Sequence, residues 1–264
     1  RLAGTVTGTP GAIEATGNVT AGNLWGAVTA RHDLATAQGT GRVRVGAYTF
    51  VPGGLQPQAV WPGVAALGLR AVSGRVRAIL NVGWGTAFTT RGELLLENLS
   101  FSADAADVTG LDGTIRARSL DPLTLDGTQE LTVTSVDVGV LLQNGRIALS
   151  GTAGALRFES VGFDWARGRL TAPPFTIRPG TPIELVLVAD GIDASSVMAR
   201  FPVDGLSITG ILDGRVPIRI SGSTVTVNQG RLETRGPGVV NAVAGVYVAQ
   251  QDATPMILFV GLPT

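Results

Sequence analysis

Residues 75–84 alternate apolar and polar side chains with a period of two. Val76, Ala78, Leu80, Val82 and Trp84 fall on one side, Arg75, Arg77 and Asn81 on the other, with Ile79 the exception. Successive side chains of a β-strand point to opposite faces, so this pattern predicts a strand with one dry and one wet face. The same alternation recurs in residues 42–47 (Val43, Val45, Ala47) and 114–120 (Ile115, Ala117). It returns in residues 146–150 (Ile147, Leu149), 215–220 (Val216, Ile218, Ile220) and 224–228 (Val225, Val227).

Between these runs stand six dipeptides that tolerate positive φ: Asp112-Gly113, Asp126-Gly127, Asn144-Gly145, Asp190-Gly191, Asp204-Gly205 and Asp213-Gly214. Such pairs suit tight hairpin turns, so the sequence predicts an antiparallel meander turning at each of them. Helical periodicity is scarce. Residues 193–201 predict one short helix, with Asp193 as its cap, Val197, Met198 and Phe201 on one side, and Pro202 stopping it. A weaker helical signal spans residues 60–67, opened by Trp61-Pro62. No solenoid repeat and no Ser- or Pro-rich linker divides the chain. The expectation is therefore one continuous β segment over residues 1–264, with a soft boundary near residue 70.

Composition sharpens this picture. Gly (37) and Pro (14) are too frequent for long helices, and the apolar set is aliphatic, with aromatics at 5% and a mean hydropathy of +0.30. Closed sandwiches usually fill their core with several aromatics, whereas inward positions that are chiefly Val, Leu, Ile and Ala leave room for alkyl chains. Each methylene moved from water onto such a wall gains about 0.8 kcal/mol. Twenty basic residues, all Arg, balance twenty acidic ones, which leaves no electrostatic footprint for nucleic acid. The absence of cysteine excludes disulfides, thiolate nucleophiles and thiolate metal sites. No run of 18 apolar residues occurs; residues 236–250, the nearest candidate, contain Pro237 and Asn241 and are too short to span a bilayer. The chain opens at Arg1 in mid-pattern, as an excised segment of a longer protein would.

Chemistry-bearing patterns are few. His32 is the sole histidine and is expected in an exposed loop between Arg31 and Asp33. Gly39-Thr40-Gly41 starts like a dinucleotide loop, but Arg44 stands where the last glycine should be. Glu93 and Glu97 share a strand face with Leu95, so they read as solvated residues, and Asp104 with Asp107 reads as a turn. Trp25, Trp61, Trp84 and Trp165 are dispersed, and Trp84 reads as an apolar-face residue ending its strand.

The ordered words of the chain point further. Gly74-Arg75-Val76 is followed by Trp84, by Thr89-Thr90-Arg91-Gly92, by Gly110-Leu111-Asp112-Gly113, and by residues 119–123, Ser-Leu-Asp-Pro-Leu. Gln129-Glu130-Leu131, the strands around Asn144-Gly145, residues 168–173, Gly191-Ile192-Asp193, residues 214–218 and Gly236-Pro237-Gly238 continue the order. Over about residues 41–240 this resembles the YdbH-like family, itself similar to AsmA-like and TamB-like bridge proteins.

The resemblance implies an all-β fold: an elongated, strongly curved, mostly antiparallel sheet forming a U-shaped open groove, with one or two short helices. It implies a non-enzymatic conduit that carries phospholipid between the inner and outer membranes of a diderm bacterium, with no cofactor, metal or nucleic acid. The protein would lie in the periplasm, tethered to the inner membrane by an anchor outside this segment. A small outer-membrane lipoprotein would add strands at one end. Residues 256–260, bounded by Pro255 and Pro263, would either lie near that junction or pair within their own sheet. The groove lining is expected at Val76, Ala78, Leu80, Val82, Trp84, Ile115, Ala117, Ile147, Leu149, Val216, Ile218, Ile220, Val225 and Val227. A structural β-solenoid or adhesin-like surface protein is the alternative, and a glycan-active enzyme has least support.

Overall fold

A computed structural model describes residues 1–103, 106–200, 207–221, 224–235 and 240–241. Residues 256–260, Phe201, Gly236-Pro237-Gly238, the Asp204-Gly205 turn and Asp104 lie outside the described residues. Among the described residues the fold is all-β with antiparallel pairing, two short α-helices and one 3-10 turn, as the periodicity predicts. Among the described residues no helix is long and apolar enough to cross a membrane. The chain divides into two compact units, residues 1–133 with 150–153, and residues 134–149 with 154–264.

The first unit is a meander of β1 (Leu2–Gly8), β2 (Ala12–Ala21), β3 (Leu24–Asp33), β4 (Gln38–Phe50), β5 (Arg70–Trp84), β6 (Thr89–Ala103), β7 (Ala106–Leu120) and β8 (Leu123–Leu125). Each strand pairs with the next, and β9 (Gln129–Asp137) pairs back onto β7. The β4–β5 link carries α1 (Pro57–Val60) and a 3-10 turn (Pro62–Leu67), where residues 60–67 gave the weaker helical signal. This link folds over one end of the sheet. Leu55, Val60 and Leu69 pack against Tyr48, Phe50, Val72, Leu96 and Leu99, each at most 8% exposed. Gln56 pins the link by accepting the N–H of Val72 and donating to its carbonyl.

The second unit contains β10 (Leu141–Thr152), β11 (Ala155–Trp165), β12 (Gly168–Ala172), β13 (Phe175–Ile177), β14 (Ile183–Asp193), β16 (Ile211–Ser221), β17 (Thr224–Val227) and β18 (Arg231–Arg235). A separate two-stranded pair joins β15 (Ser207–Ile208) to β19 (Val240–Asn241). The predicted helix is α2 (Ala194–Arg200), and Asp193 caps it by accepting from the Ser195 N–H and the Ser196 hydroxyl. Val197 and Ala194 are buried with Ala189, Ile192 and Leu212. Both units thus bury a compact core where a short helical segment lies over one part of a sheet. The first of these cores includes Tyr48 and Phe50, so aromatic plugs are present after all in the covered part.

The hairpin reading of the Asp-Gly and Asn-Gly pairs holds at one of the described sites and fails at four. Only Asp126-Gly127 turns the chain, between β8 and β9, with Gly127 at φ +71°. Gln129 braces that turn, donating to the Asp126 carbonyl and accepting the Arg116 N–H. The other four pairs sit inside strands: Gly113, Gly145 and Gly214 each admit a close neighbour, Gly191 makes a bulge, and Asp112 and Asp213 each take a backbone donor. Asp112 accepts the N–H of Asn98, whose φ of +49° marks a bulge in β6, and a Cβ on Gly113 would stand 2.5 Å from Cδ2 of Leu131. Gly145 lies beneath the Phe163 ring in the same way. Gly191 forms the bulge between Ala189 and Ile192, its N–H donating to Asp213, and a Cβ on Gly214 would stand 2.1 Å from the Arg231 carbonyl oxygen.

Candidate functional site: a sheet with one apolar and one charged face

Residues directly opposite each other in antiparallel strands share a face. In the first unit the registers therefore draw continuous rows. One row runs Val28, Val43, Leu80, Gly92, Ala117, and its neighbour runs Gly26, Val45, Ala78, Leu94, Ile115. A third runs Ala30, Gly41, Val82, Thr90, and Val76 stands opposite both Tyr48 and Leu96. The intervening rows lie on the other face: Thr29, Arg42, Asn81, Arg91, and Ala27, Arg44, Ile79, Glu93, Arg116. Salt bridges Arg116–Glu93 (3.8 Å), Arg77–Glu97 (3.2 Å) and Arg31–Glu14 tie that face together. The two glutamates singled out in the sequence are thus paired surface residues of one strand.

Exposure separates two zones of the apolar face. Beneath the β4–β5 link the side chains are buried, but Val28, Val43, Leu80, Val82, Ala78, Leu94 and Ile115 are only half-buried. Five of the expected lining positions, Val76, Ala78, Leu80, Val82 and Trp84, fall along this face of β5, with Ile115 and the buried Ala117 on the same face of β7.

At the end of the face away from the link lies a row of Ile13, His32, Gly39 and Trp84. His32 is not a loop residue: it sits half-buried in β3, its ring nearly parallel to the Trp84 indole at 13°, with the indole Nε1–H donating to its Nδ1 at 3.2 Å. The indole covers Gly39 and Gly41, where a Cβ would stand 2.2 Å and 3.3 Å from its ring. Nearby, Asp33 is held below the ordinary carboxylate range by the Thr36 N–H and hydroxyl, then by the Ala35 N–H, against the cost of desolvation.

The second unit repeats the two-faced pattern. Leu185 stands opposite Ile218, Leu187 opposite Val216 and Ile183 opposite Ile220; Ile218 and Ile220 in turn stand opposite Val227 and Val225. All of these except Val227, which is 37% exposed, and Val225, whose side chain lies outside the description, are half-buried. Ile147 and Leu149 share the face of β10 on which Gly145 meets Phe163, and both are half-buried. The other face carries Arg219–Glu184 (3.3 Å) and Arg169–Asp164 (3.2 Å). There Arg235 binds Asp190 and Asp213 at once (2.5 and 2.6 Å), and Asp213 is held low by Arg235 first and the Gly191 N–H second.

Sequence reasoning missed Val28, Leu94, Leu185 and Leu187 as face residues. Leu94 lies in a Leu-Leu-Leu run, and Leu185 and Leu187 alternate with Val186 and Val188, so apolar residues on both faces hide the period of two. His32 was missed as well, because its partner lies 52 residues away. Among the described residues no group of three or more acidic or histidine side chains could hold a metal ion.

Comparison with curated proteins and with solved structures gives no significant match. A family model, described as YdbH-like, intermembrane phospholipid transport protein YdbH, matches residues 3–259, nearly the whole chain. The chain therefore belongs to the YdbH-like family of intermembrane phospholipid transport proteins.

Proposed function

We propose that the half-buried apolar faces of both units hold the acyl chains of phospholipid in transit, with headgroups kept at the wet margin. The observation that carries this reading is the contrast between faces. The side that carries the ion-paired arginines and acids, interrupted by apolar residues such as Ile79, Val186 and Val188, belongs to water, whereas Val43, Leu80, Leu185 and Ile218 present aliphatic surface that is neither buried nor polar. Exposed apolar surface of this extent costs free energy in water and gains it against hydrocarbon. The lining comprises the residues named from the sequence together with Val28, Val43, Leu94, Leu185 and Leu187. Movement of lipid along such a wall needs no covalent step, so the chain acts as a conduit and not as an enzyme.

The conduit lies in the periplasm between the two membranes of a diderm bacterium. It is tethered to the inner membrane, and a small outer-membrane lipoprotein pairs with a free sheet edge, where unpaired backbone groups accept a strand. Organic extraction of the protein purified from the cell envelope, followed by mass spectrometry, tests the reading: co-purified glycerophospholipid is expected. Extracts free of lipid from protein isolated without detergent would count against it.

A further inference from the structure

The His32–Trp84 pair stands where the half-buried apolar face of the first unit ends. Trp84 is the last residue of β5 and His32 the last but one of β3, at the margin opposite the core beneath the β4–β5 link. An indole nitrogen can only donate, so the Trp84 Nε1–H to His32 Nδ1 bond makes Nδ1 the acceptor. The neutral imidazole then carries its proton on Nε2. Among the described residues no group accepts from that Nε2–H. The side chains in the same row are Ile13, Gly39 and Trp84, none of them an acceptor, while Arg31 and Asp33 alternate onto the other face. A half-buried ring with a fixed tautomer and an unengaged N–H, beside aliphatic surface and locked by an indole lying flat on two glycines, suits a ligand whose apolar part ends in an anionic oxygen.

Resting on the reading that this face holds lipid, we infer that His32 is a specificity-determining residue that donates its Nε2–H to the phosphodiester oxygen of a phospholipid headgroup. Trp84 acts as its positioning residue. The pair thus marks the level at which acyl chain gives way to headgroup, and it discriminates phospholipid from a neutral diacylglycerol with the same chains.

The test compares binding of dioleoyl phosphatidylglycerol and dioleoylglycerol to the full chain, each in competition with a fluorescent phospholipid. The native chain is expected to prefer the phospholipid. His32→Ala should weaken phosphatidylglycerol binding about tenfold, the scale of one hydrogen bond to a charged acceptor, and leave dioleoylglycerol binding unchanged. His32→Gln, which keeps an acceptor for the indole and an N–H to donate, should recover part of the preference. Nitrogen NMR of the imidazole should show the proton on Nε2. Equal weakening of both lipids by His32→Ala, an unchanged preference, or a proton on Nδ1 would overturn the assignment while leaving the apolar-face reading intact. Competition by inorganic phosphate alone would replace the headgroup by a free anion and overturn it too. Failure of the native chain to bind either lipid would overturn both readings.

Discussion

Gly39 and Trp84 stand directly opposite each other on β4 and β5, and the indole occupies the space into which any side chain on Gly39 would project. The tryptophan lies flat on the sheet because its neighbour has no Cβ. Gly39→Ala should therefore lift the indole, break its bond to His32 and cost about 1–3 kcal/mol, as overpacking does. A changed tryptophan emission maximum together with a lowered unfolding midpoint checks this; native emission would show that the ring has another way to sit.

The faces make a second, sharper contrast. Leu80→Arg and Ile218→Asp each place a charge on an apolar face, where desolvating it is costly, and should abolish lipid transfer. Arg77→Ala removes an exposed partner of Glu97, an interaction worth little at the surface, and should leave transfer near the native level. A transfer assay between donor and acceptor vesicles measures all three. Comparable loss in Arg77→Ala would contradict the assignment of faces.

Stability should reside in the covered part of the sheet. Phe50 is 5% exposed within the core formed beneath the β4–β5 link, so Phe50→Ala should destabilise the first unit by about 3–5 kcal/mol. Val43→Ala, on the half-buried stretch, removes less buried surface and should cost clearly less. Urea unfolding of both variants gives the comparison.

Acid should loosen the second unit through Asp213. Its folded-state carboxyl is held low by Arg235 and the Gly191 N–H, so the stability it adds is present above the ordinary carboxylate range. That stability is lost as pH falls toward the lowered value. Asp193 behaves alike: desolvation, the largest single influence, pushes it up, but the Ser196 hydroxyl, the Ser195 and Ser196 N–H groups and Arg167 outweigh it. Melting curves between neutral pH and about pH 3, spanning the carboxylate range, should slope less steeply for Asp213→Asn than for the native chain.

Much of this was legible in the alternation. A strand with one wet face must repeat every two residues, and residues 75–84 did so clearly enough to place Val76, Leu80 and Val82 on one side. The glycines were read less well. Asp112-Gly113 and Asp213-Gly214 look like hairpin turns because the same residue pair serves both a turn and a close cross-strand approach, and only the partner, Leu131 or the Arg231 carbonyl, distinguishes them. His32 was invisible for a related reason: nothing within its own strand announces Trp84.

Phospholipid is expected on one face of the sheet and not on the other. A photoreactive amino acid placed in turn at Val43, Leu80, Arg42 and Asn81 tests it in living cells, since Val43–Leu80 and Arg42–Asn81 are adjacent cross-strand pairs on opposite faces. Covalent phospholipid adducts are expected at positions 43 and 80, with few at 42 and 81. Equal labelling at all four positions, or labelling confined to 42 and 81, would contradict it.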